Sequence, residues 1–432
     1  MDKQILRLAI PNIISNITVP LLGMIDQAIV GHLSSELYIA AIAIATMIFN
    51  MMYWSFSFLR MGTSGFTAQA YGANDKEEMV KVLQKSFLVV AVASLLIILL
   101  QYFILELARY FMSNSAEAMN LAAQYFYIYV WAVPAVLGMY ALSGWFIGMQ
   151  DSKTPMYVSI AVNIVNIVAS LFFVFVLHWE LKGVALGSLI AQYSGFALCL
   201  LVWFKKYGYL KQYIKRKFIN NLSELLPFFQ VNSNIFLRSV CLIVVSTFFT
   251  ATSAKYGTLT LAANSLMMQL FILFSYMMDG FAYAAEAITG KYVGARDAVS
   301  LKHLVKRLFV WGIRLTAIFT VAYLLFSEDI LRLLTDKTSV INHATEYIHW
   351  SMLIPIAGFS AFLWDGIFIG MTASKQMRNS MFIAMATFFM IYFLAKDAYG
   401  NHALWFAFII YLAMRGLVQL FMYPKVKREV GL

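Results

Sequence analysis

Phe146-Ile147-Gly148-Met149-Gln150-Asp151-Ser152-Lys153 returns 222 positions later as Phe368-Ile369-Gly370-Met371-Thr372-Ala373-Ser374-Lys375, with only the fifth and sixth residues changed. The same offset pairs Ala40, Ala41 and Phe49 with Ala262, Ala263 and Phe271, and Gly72, Ala73 and Asp75 with Gly294, Ala295 and Asp297. Short matches arise by chance in apolar sequence of low diversity, but one undistorted register over this distance is harder to obtain that way. The chain reads as two copies of one unit. In so apolar a chain, that plan points to a transporter whose cavity lies between the halves.

Composition fixes the solvent. Of the 432 residues, 62% are hydrophobic and 12% charged, with 36 Phe, 24 Tyr and 24 Met. A soluble domain carries about 25% charged residues, so this chain cannot clothe its apolar surface for water. The reading is an all-α polytopic membrane protein. The apolar run from Leu8 contains Asp26 and continues without a small-residue cleavage site, so the first residues do not read as a removed signal. Cys199 and Cys241 sit in apolar stretches and read as small hydrophobes rather than a disulfide or metal pair.

A spanning helix needs about 20 mostly apolar residues. That rule predicts twelve spans, near 8–31, 37–59, 86–105, 121–148, 155–177, 183–204, 226–250, 258–289, 304–326, 344–371, 377–395 and 402–423. Pro155, after Gln150–Thr154, suits the first turn of the fifth span. The longest polar break carries Lys205, Lys206, Lys211, Lys215, Arg216 and Lys217 and divides six spans from six. The expected domains are therefore an N-lobe at 1–204, a basic cytoplasmic linker at 205–221 and a C-lobe at 222–432. Loops after odd-numbered spans hold only Arg109, Lys182, Lys255, Arg332, Lys337 and Lys396, whereas the termini and even-numbered loops hold most of the 32 basic residues. The basic side faces the cytoplasm, which places both termini inside an inner (plasma) membrane. The +11 net charge then needs no nucleic-acid partner, although the linker also suits anionic lipid. Six spans is an even number, so the second copy enters the membrane in the same direction as the first. The lobes should be related by a pseudo-two-fold axis along the membrane normal.

A charge deep in a span usually faces a cavity or a partner. Asp26 is the clearest case, preceded by Pro11, Pro20 and Gly23. Each proline deletes a backbone bond, so this helix can bend beside its carboxylate. Burial in apolar surroundings favours the protonated carboxyl, which makes Asp26 an ion-coupling candidate; a hydrogen-bonded residue that fixes helix packing is the alternative. Asn163, Asn166 and Ser170 share one helical face, with Ser188 near the start of the next span. Their oxygens suit a hard cation or a proton-linked network, or else ordinary interhelical hydrogen bonding. The second half carries Arg238, Asp279, Glu286 and Asp365 within spans, and Arg238 can pair with any of the three acids.

Soluble enzyme chemistry finds no foothold. No Gly-rich phosphate loop with Lys appears, which argues against an ATP-driven pump within this chain. His32, His178, His303, His343, His349 and His402 are scattered, and only His343 and His349 lie near each other, six apart and off a common helical face, so no metal is expected.

These residues resemble the multidrug and toxic compound extrusion (MATE) transporters, most of all their DNA-damage-inducible-F branch. The resemblance rests on Pro11 through Asp26 to Val30-Gly31-His32-Leu33, and on Leu59-Arg60-Met61-Gly62-Thr63-Ser64-Gly65 with Ala68-Gln69-Ala70-Tyr71-Gly72. It continues through Gly148–Pro155, Asp279-Gly280-Phe281-Ala282-Tyr283-Ala284-Ala285-Glu286, Trp364-Asp365-Gly366-Ile367-Phe368-Ile369-Gly370 and Met377-Arg378-Asn379-Ser380-Met381. It implies twelve helices in two pseudo-symmetric six-helix lobes that export organic, often cationic, compounds against a proton or sodium gradient. The position matching Asp26 is the coupling residue of that branch, and the first helix bends near the proline matching Pro11. Asn166 matches an asparagine of the N-lobe site, and Ser188 stands where many relatives carry Thr. Ser170 departs from the pattern, since many members have Asp there, and this favours protons over sodium. The expectation is a monomeric, cofactor-free antiporter for small molecules, not an enzyme. A lipid-linked-sugar flippase would be expected to line its cleft with more basic residues than Arg238, Arg314 and Arg415. A membrane acyltransferase would need a His/Asp or metal cluster that is not found.

Overall fold

Twelve helical segments are long and apolar enough to cross a membrane in the computed structural model, which describes residues 1–31, 35–111, 116–215 and 224–431. His32, Leu33 and the linker residues from Arg216 onward lie outside the described residues. The first copy runs α1 (Asp2–Gly31), α2 (Glu36–Ser55), α3 (Ser57–Gly72), α4 (Lys76–Leu99), α5 (Gln101–Phe111), α6 (Ala116–Tyr129), α7 (Val133–Gly148), α8 (Lys153–Leu171) and α9 (Glu180–Tyr207). The second runs α10 (Leu226–Lys255), α11 (Thr258–Gly294), α12 (Ala298–Leu334), α13 (Thr338–Thr345), α14 (Ile348–Gly370), α15 (Ser374–Tyr399) and α16 (Asn401–Glu429). Among the described residues there is no strand.

The offset of 222 governs backbone geometry as well as sequence. Left-handed residues recur in register: Asn74 with Arg296, Gln150 with Thr372, and His178 with Gly400. Asp75 caps α4 by accepting from Glu78 N at 2.9 Å, and Asp297 caps α12 by accepting from Ser300 N at 2.9 Å. Both devices close the N-terminal turn of a long helix and satisfy a donor that has no partner inside it. The tightest correspondence is a close helix crossing. A Cβ on Gly148 would lie 2.8 Å from Ser64 O, and one on Gly370 would lie 2.6 Å from Glu286 O. One turn earlier, Gly144 meets Arg60 O and Gly366 meets Ala282 O. All four partners obey the offset. Each pair is a Gly-x-x-x-Gly stripe that brings two backbones together, as small residues do between membrane helices.

Helix starts differ from the hydropathy reading for a physical reason. The third span was expected near 86, yet α4 begins at Lys76. Its first turns are polar, and they are held by Lys81 on Glu224 at 2.6 Å, Lys215 on Glu77 at 2.5 Å and Gln84 Nε2 on Lys215 O at 2.8 Å. Hydropathy sees only the apolar run; capping and linker contacts extend the helix beyond it.

Contacts divide the chain into two units, Ile14–Pro227 and Met1–Ile13 with Phe228–Leu432. The N-terminal division falls inside α1, between Pro11 and Pro20, through which the helix runs unbroken. Residues 1–13 are tied into the second unit by Asp2 paired with Arg307 and by Gly280, which lies against Ile13 and Ala9 O. Within the first unit, Phe49 stacks on Phe126 at 5.2 Å and meets Tyr129 edge-on at 4.7 Å. Within the second, Phe249 meets Trp405 edge-on at 4.9 Å. Cys199 and Cys241 are free and buried.

The fourth span's exit turn is a polar knot. Asp151 Oδ2 accepts from Thr154 Oγ1 at 2.7 Å, Lys206 Nζ at 2.7 Å and Tyr207 OH at 3.1 Å. Burial works against its charge, but the hydrogen bonds from Lys206 and Thr154 outweigh it and hold the carboxyl below its ordinary 3.8. A lowered value in the fold means that Asp151 stabilises the protein above the ordinary carboxylate range and loses that contribution as pH falls through its lowered value. Asp151→Ala is expected to cost about 1–3 kcal/mol, read as a drop in Tm in detergent at pH 7. The gap between wild type and variant should narrow as the medium is acidified below 3.8.

Candidate functional site

Asp26 lies on α1 one turn before its end, 6% exposed. Its neighbours come from α8 and α9. Ser188 Oγ donates to Asp26 Oδ2 at 3.1 Å, and Asn166 Nδ2 donates to Ser188 Oγ at 2.8 Å. Gly187 makes this approach possible, since a Cβ there would fall 2.7 Å from Ser170 N. Asp26 Oδ1, Asn166 Oδ1 and Ser170 Oγ are buried and have no hydrogen-bond partner. Two acceptor-capable oxygens are therefore left on the carboxylate-centred cluster, and Ser170 Oγ is a third unmet oxygen one turn further along α8.

The structure thus places Asp26, Asn166 and Ser188 in one hydrogen-bonded chain. Ser170 is fully buried on the same helix as Asn166, four residues on. Asn163 goes elsewhere: its Nδ2 donates to Thr18 O at 2.9 Å, and Thr18 Oγ1 lies 2.7 Å from Ser159 Oγ. Asn163 so ties α8 to α1 just before Pro20. Tyr125 and Tyr129 were not singled out in the sequence, yet both lie within electrostatic reach of Asp26, and Gln192 Nε2 donates to Tyr129 OH at 3.0 Å. Their i, i+4 spacing was visible, but among 24 Tyr it carried no distinguishing signal.

The second unit answers which acid Arg238 takes. Arg238 pairs with Asp365. Arg415 Nη2 joins the same oxygen, Asp365 Oδ2, at 2.8 Å, and Gln419 Nε2 donates to Asp365 Oδ1 at 2.6 Å. Glu286 is buried on α11, while Asp279, half-buried two turns earlier, acts on the charge of Arg415. Register makes the two units chemically unlike. Asp26, Asn166 and Ser170 correspond to Phe248, Phe388 and Tyr392, which form an aromatic cluster with Phe248 5.9 Å from Phe388 and 5.2 Å from Tyr392. Among the described residues, no three His, Cys, Asp or Glu side chains group as metal ligands would.

Comparison with known proteins now bears on this geometry. The MatE family model matches residues 11–172 and 235–394, two segments whose ends at 172 and 394 keep the internal offset. The chain belongs to the MATE family of transporters. It is 36% identical over 419 residues to DNA damage-inducible protein F of Escherichia coli (strain K12), covering 96% of this chain and 90% of that protein. It is 22% identical over 354 residues to a probable multidrug resistance protein NorM of Photorhabdus laumondii, covering 80% of this chain and 77% of that one. A crystal structure of MATE in the bent conformation superposes with a TM-score of 0.88 at 19% identity, over 100% of this chain and 97% of the other. The Vibrio cholerae MATE transporter VcmN in the bent form gives 0.87 at 17% identity, over 99% and 97%. These structures share the fold, and the family makes the chain a multi-pass membrane transporter rather than an enzyme.

Proposed function

We propose that this MATE transporter is a secondary-active exporter that expels organic, often cationic and amphiphilic, compounds in exchange for protons, with Asp26 as the proton-carrying group. The observation that supports this reading is a carboxylate 6% exposed within a span, hydrogen-bonded to the neutral Ser188 and Asn166 and paired with no cation among the described residues. An ionised carboxylate in such surroundings is costly unless paired, and a proton is the simplest partner. When the proton arrives, Asp26 no longer needs its polar neighbours, and α1 is free to bend at Pro11 or Pro20 and repack against α8 and α9. The two states need differ by only a few kcal/mol for protonation to choose between them. The basic loops support a topology with both termini in the cytoplasm, and the reading takes the protein as a monomer of the inner (plasma) membrane. Multidrug export is extended to this chain from the name of its NorM relative.

A sodium-coupled cycle is the second reading, favoured by the unpartnered oxygens of Asp26, Asn166 and Ser170. Purified protein in liposomes separates the two. An imposed pH gradient should drive uptake of a cationic dye in sodium-free medium at a rate close to that with sodium. A strict sodium requirement at constant pH would overturn proton coupling and assign those oxygens to the cation.

A further inference from the structure

We propose that the first unit holds a site for one anionic phospholipid, with an acyl chain in an apolar cavity between α4, α7 and α9. A lipid oxygen sits on the indole of Trp203, and the charged headgroup on Lys205 and Lys211. The inference does not depend on what Asp26 carries or on what is exported.

The cavity has a volume of about 440 Å³, inside the span of about 300–1,000 Å³ found for ligand sites. Its walls include Leu83 and Phe87 of α4, Leu142 of α7, Leu200 and Trp203 of α9, and Ile214. Ile214 reaches it because the chain folds back after α9. The 3₁₀ helix Gly208–Tyr213 makes the turn, with Leu210 fully buried. Lys215 is then tied to α4 twice, its carbonyl accepting from Gln84 Nε2 at 2.8 Å and its ammonium meeting Glu77 at 2.5 Å. Gln84, the polar residue of the lining, is thereby engaged with the backbone and leaves the interior apolar.

The internal register shows that packing does not require this space. Phe87 and Leu142 correspond to Phe309 and Trp364 in the second copy. There the ring of Trp364 lies 5.0 Å from that of Phe309 and 4.8 Å from that of Tyr423, with its side chain buried. The second unit puts a large ring where the first has Leu142, and the first keeps the room.

A tail alone gives no reason for one lipid to stay, since a chain in the bilayer is already in hydrocarbon. Selectivity must come from polar groups, and two features point to an anion that carries oxygen acceptors. Trp145 and Trp203 pack with ring centroids 6.2 Å apart. Trp145 Nε1 donates to Met79 O at 2.8 Å, whereas Trp203 Nε1 is buried with no hydrogen-bond partner. An unmet buried donor is costly, and an ester or phosphate oxygen of a lipid beside Trp203 would satisfy it. The second feature is charge. Lys81, Lys206 and Lys215 are paired with Glu224, Asp151 and Glu77. Lys205, next to the lining residue Phe204, and Lys211, three before Ile214, are exposed and pair with no acid among the described residues. On the topology that the basic loops support, this end of α4 and α9 faces the leaflet in which anionic lipids attract such lysines.

Equilibrium binding tests this without any gradient, so its failure is separate from failure of proton coupling. The full chain, delipidated in detergent, is titrated with dioleoylphosphatidylglycerol and with dioleoylphosphatidylcholine, which has the same tails and no net charge. Glycerol 3-phosphate supplies a charged head without a tail, and native mass spectrometry counts what is bound. Phosphatidylglycerol should bind at least about five-fold more tightly than phosphatidylcholine, and glycerol 3-phosphate should not be retained. Leu142→Trp copies the second unit and should abolish the tight phosphatidylglycerol site while the protein stays monodisperse. Lys205→Gln with Lys211→Gln should bring phosphatidylglycerol down to the level of phosphatidylcholine, a loss of about five-fold or more. Trp203→Phe removes a donor that either lipid would use and should weaken both by about three-fold. Equal binding of the two lipids by the wild type would overturn the proposal, as would glycerol 3-phosphate bound as tightly as phosphatidylglycerol. So would a monodisperse Leu142→Trp protein that binds phosphatidylglycerol like wild type, which would leave only surface attraction by the basic loops. If Leu142→Trp does not fold, the exposed lysine pair decides: an unchanged preference for phosphatidylglycerol overturns the site. Unchanged binding by Trp203→Phe overturns the assignment of the lipid oxygen to the indole.

Discussion

Asp26→Asn is expected to yield a folded protein whose gradient-driven export falls to background. Asparagine keeps the size of the side chain and one oxygen that can accept from Ser188 Oγ, now 3.1 Å away. Its amide also brings donors into a cluster where Asn166 Oδ1 and Ser170 Oγ have none. Stability should therefore shift by no more than about 1 kcal/mol, in either direction. What disappears is titration. A group that cannot lose and regain a proton cannot link a pH gradient to substrate movement, whatever its packing. Everted membrane vesicles supplied with a cationic dye would show normal protein content and no energised efflux. Robust efflux from the Asn variant would remove Asp26 from the coupling step. If neutralising Asp279, Glu286 or Asp365 then abolished transport, the switch would belong to the second unit.

The sequence was most legible where the two copies could be compared. The register read from a few short strings also holds for paired left-handed turns, paired Asp caps and paired glycine crossings, because each is a local backbone requirement that restricts residue choice. Span number was legible for the same reason that membranes impose it: about 20 apolar residues must be continuous. Helix starts were less so. The polar turns of α4 gain their order from Glu224 and Lys215, far along the chain, and no window of hydropathy contains both partners. Asp26 stood out because a carboxylate in an apolar run is expensive. The hydroxyl of Ser188 and the amide of Asn166 followed from residue type, but Asn163 shared their helical face and still went to α1. Spacing identifies a face; only tertiary contacts say which neighbour covers each turn of it. Arg415 and Gln419 lie i, i+4 in the last span. That polar pair was a usable sign that Arg238 and Asp365 were not the whole of their cluster.

Gly366→Leu is expected to prevent folding, and Gly144→Leu to do the same for the same reason. A Cβ on Gly366 would clash with Ala282 O and lie 2.9 Å from Ala282 C, so the obstacle is backbone of α11 rather than a movable side chain. Overpacking against side chains costs about 1–3 kcal/mol; backbone in a membrane helix cannot rotate aside, and α11 and α14 would have to separate. Separation would strip the packing from Gly370 against Glu286 O as well. It would also shift Asp365, the adjoining residue, away from two buried arginines, and uncompensated buried charge is among the most destabilising outcomes known. The same logic holds at Gly144 against Arg60 O, without the charge penalty, because Ser143 replaces the acid there. Gly312 supplies the control. Its nearest obstacle is Leu363 Cδ1 at 2.7 Å, the end of a flexible side chain, so Gly312→Ala should be tolerated with a modest fall in Tm. Size-exclusion profiles of detergent extracts would show aggregate for both leucine variants and a monodisperse peak for Gly312→Ala. A monodisperse Gly366→Leu protein beside an aggregated Gly144→Leu would mean that the two crossings are not equivalent, and that the internal register does not extend to the packing of the second copy.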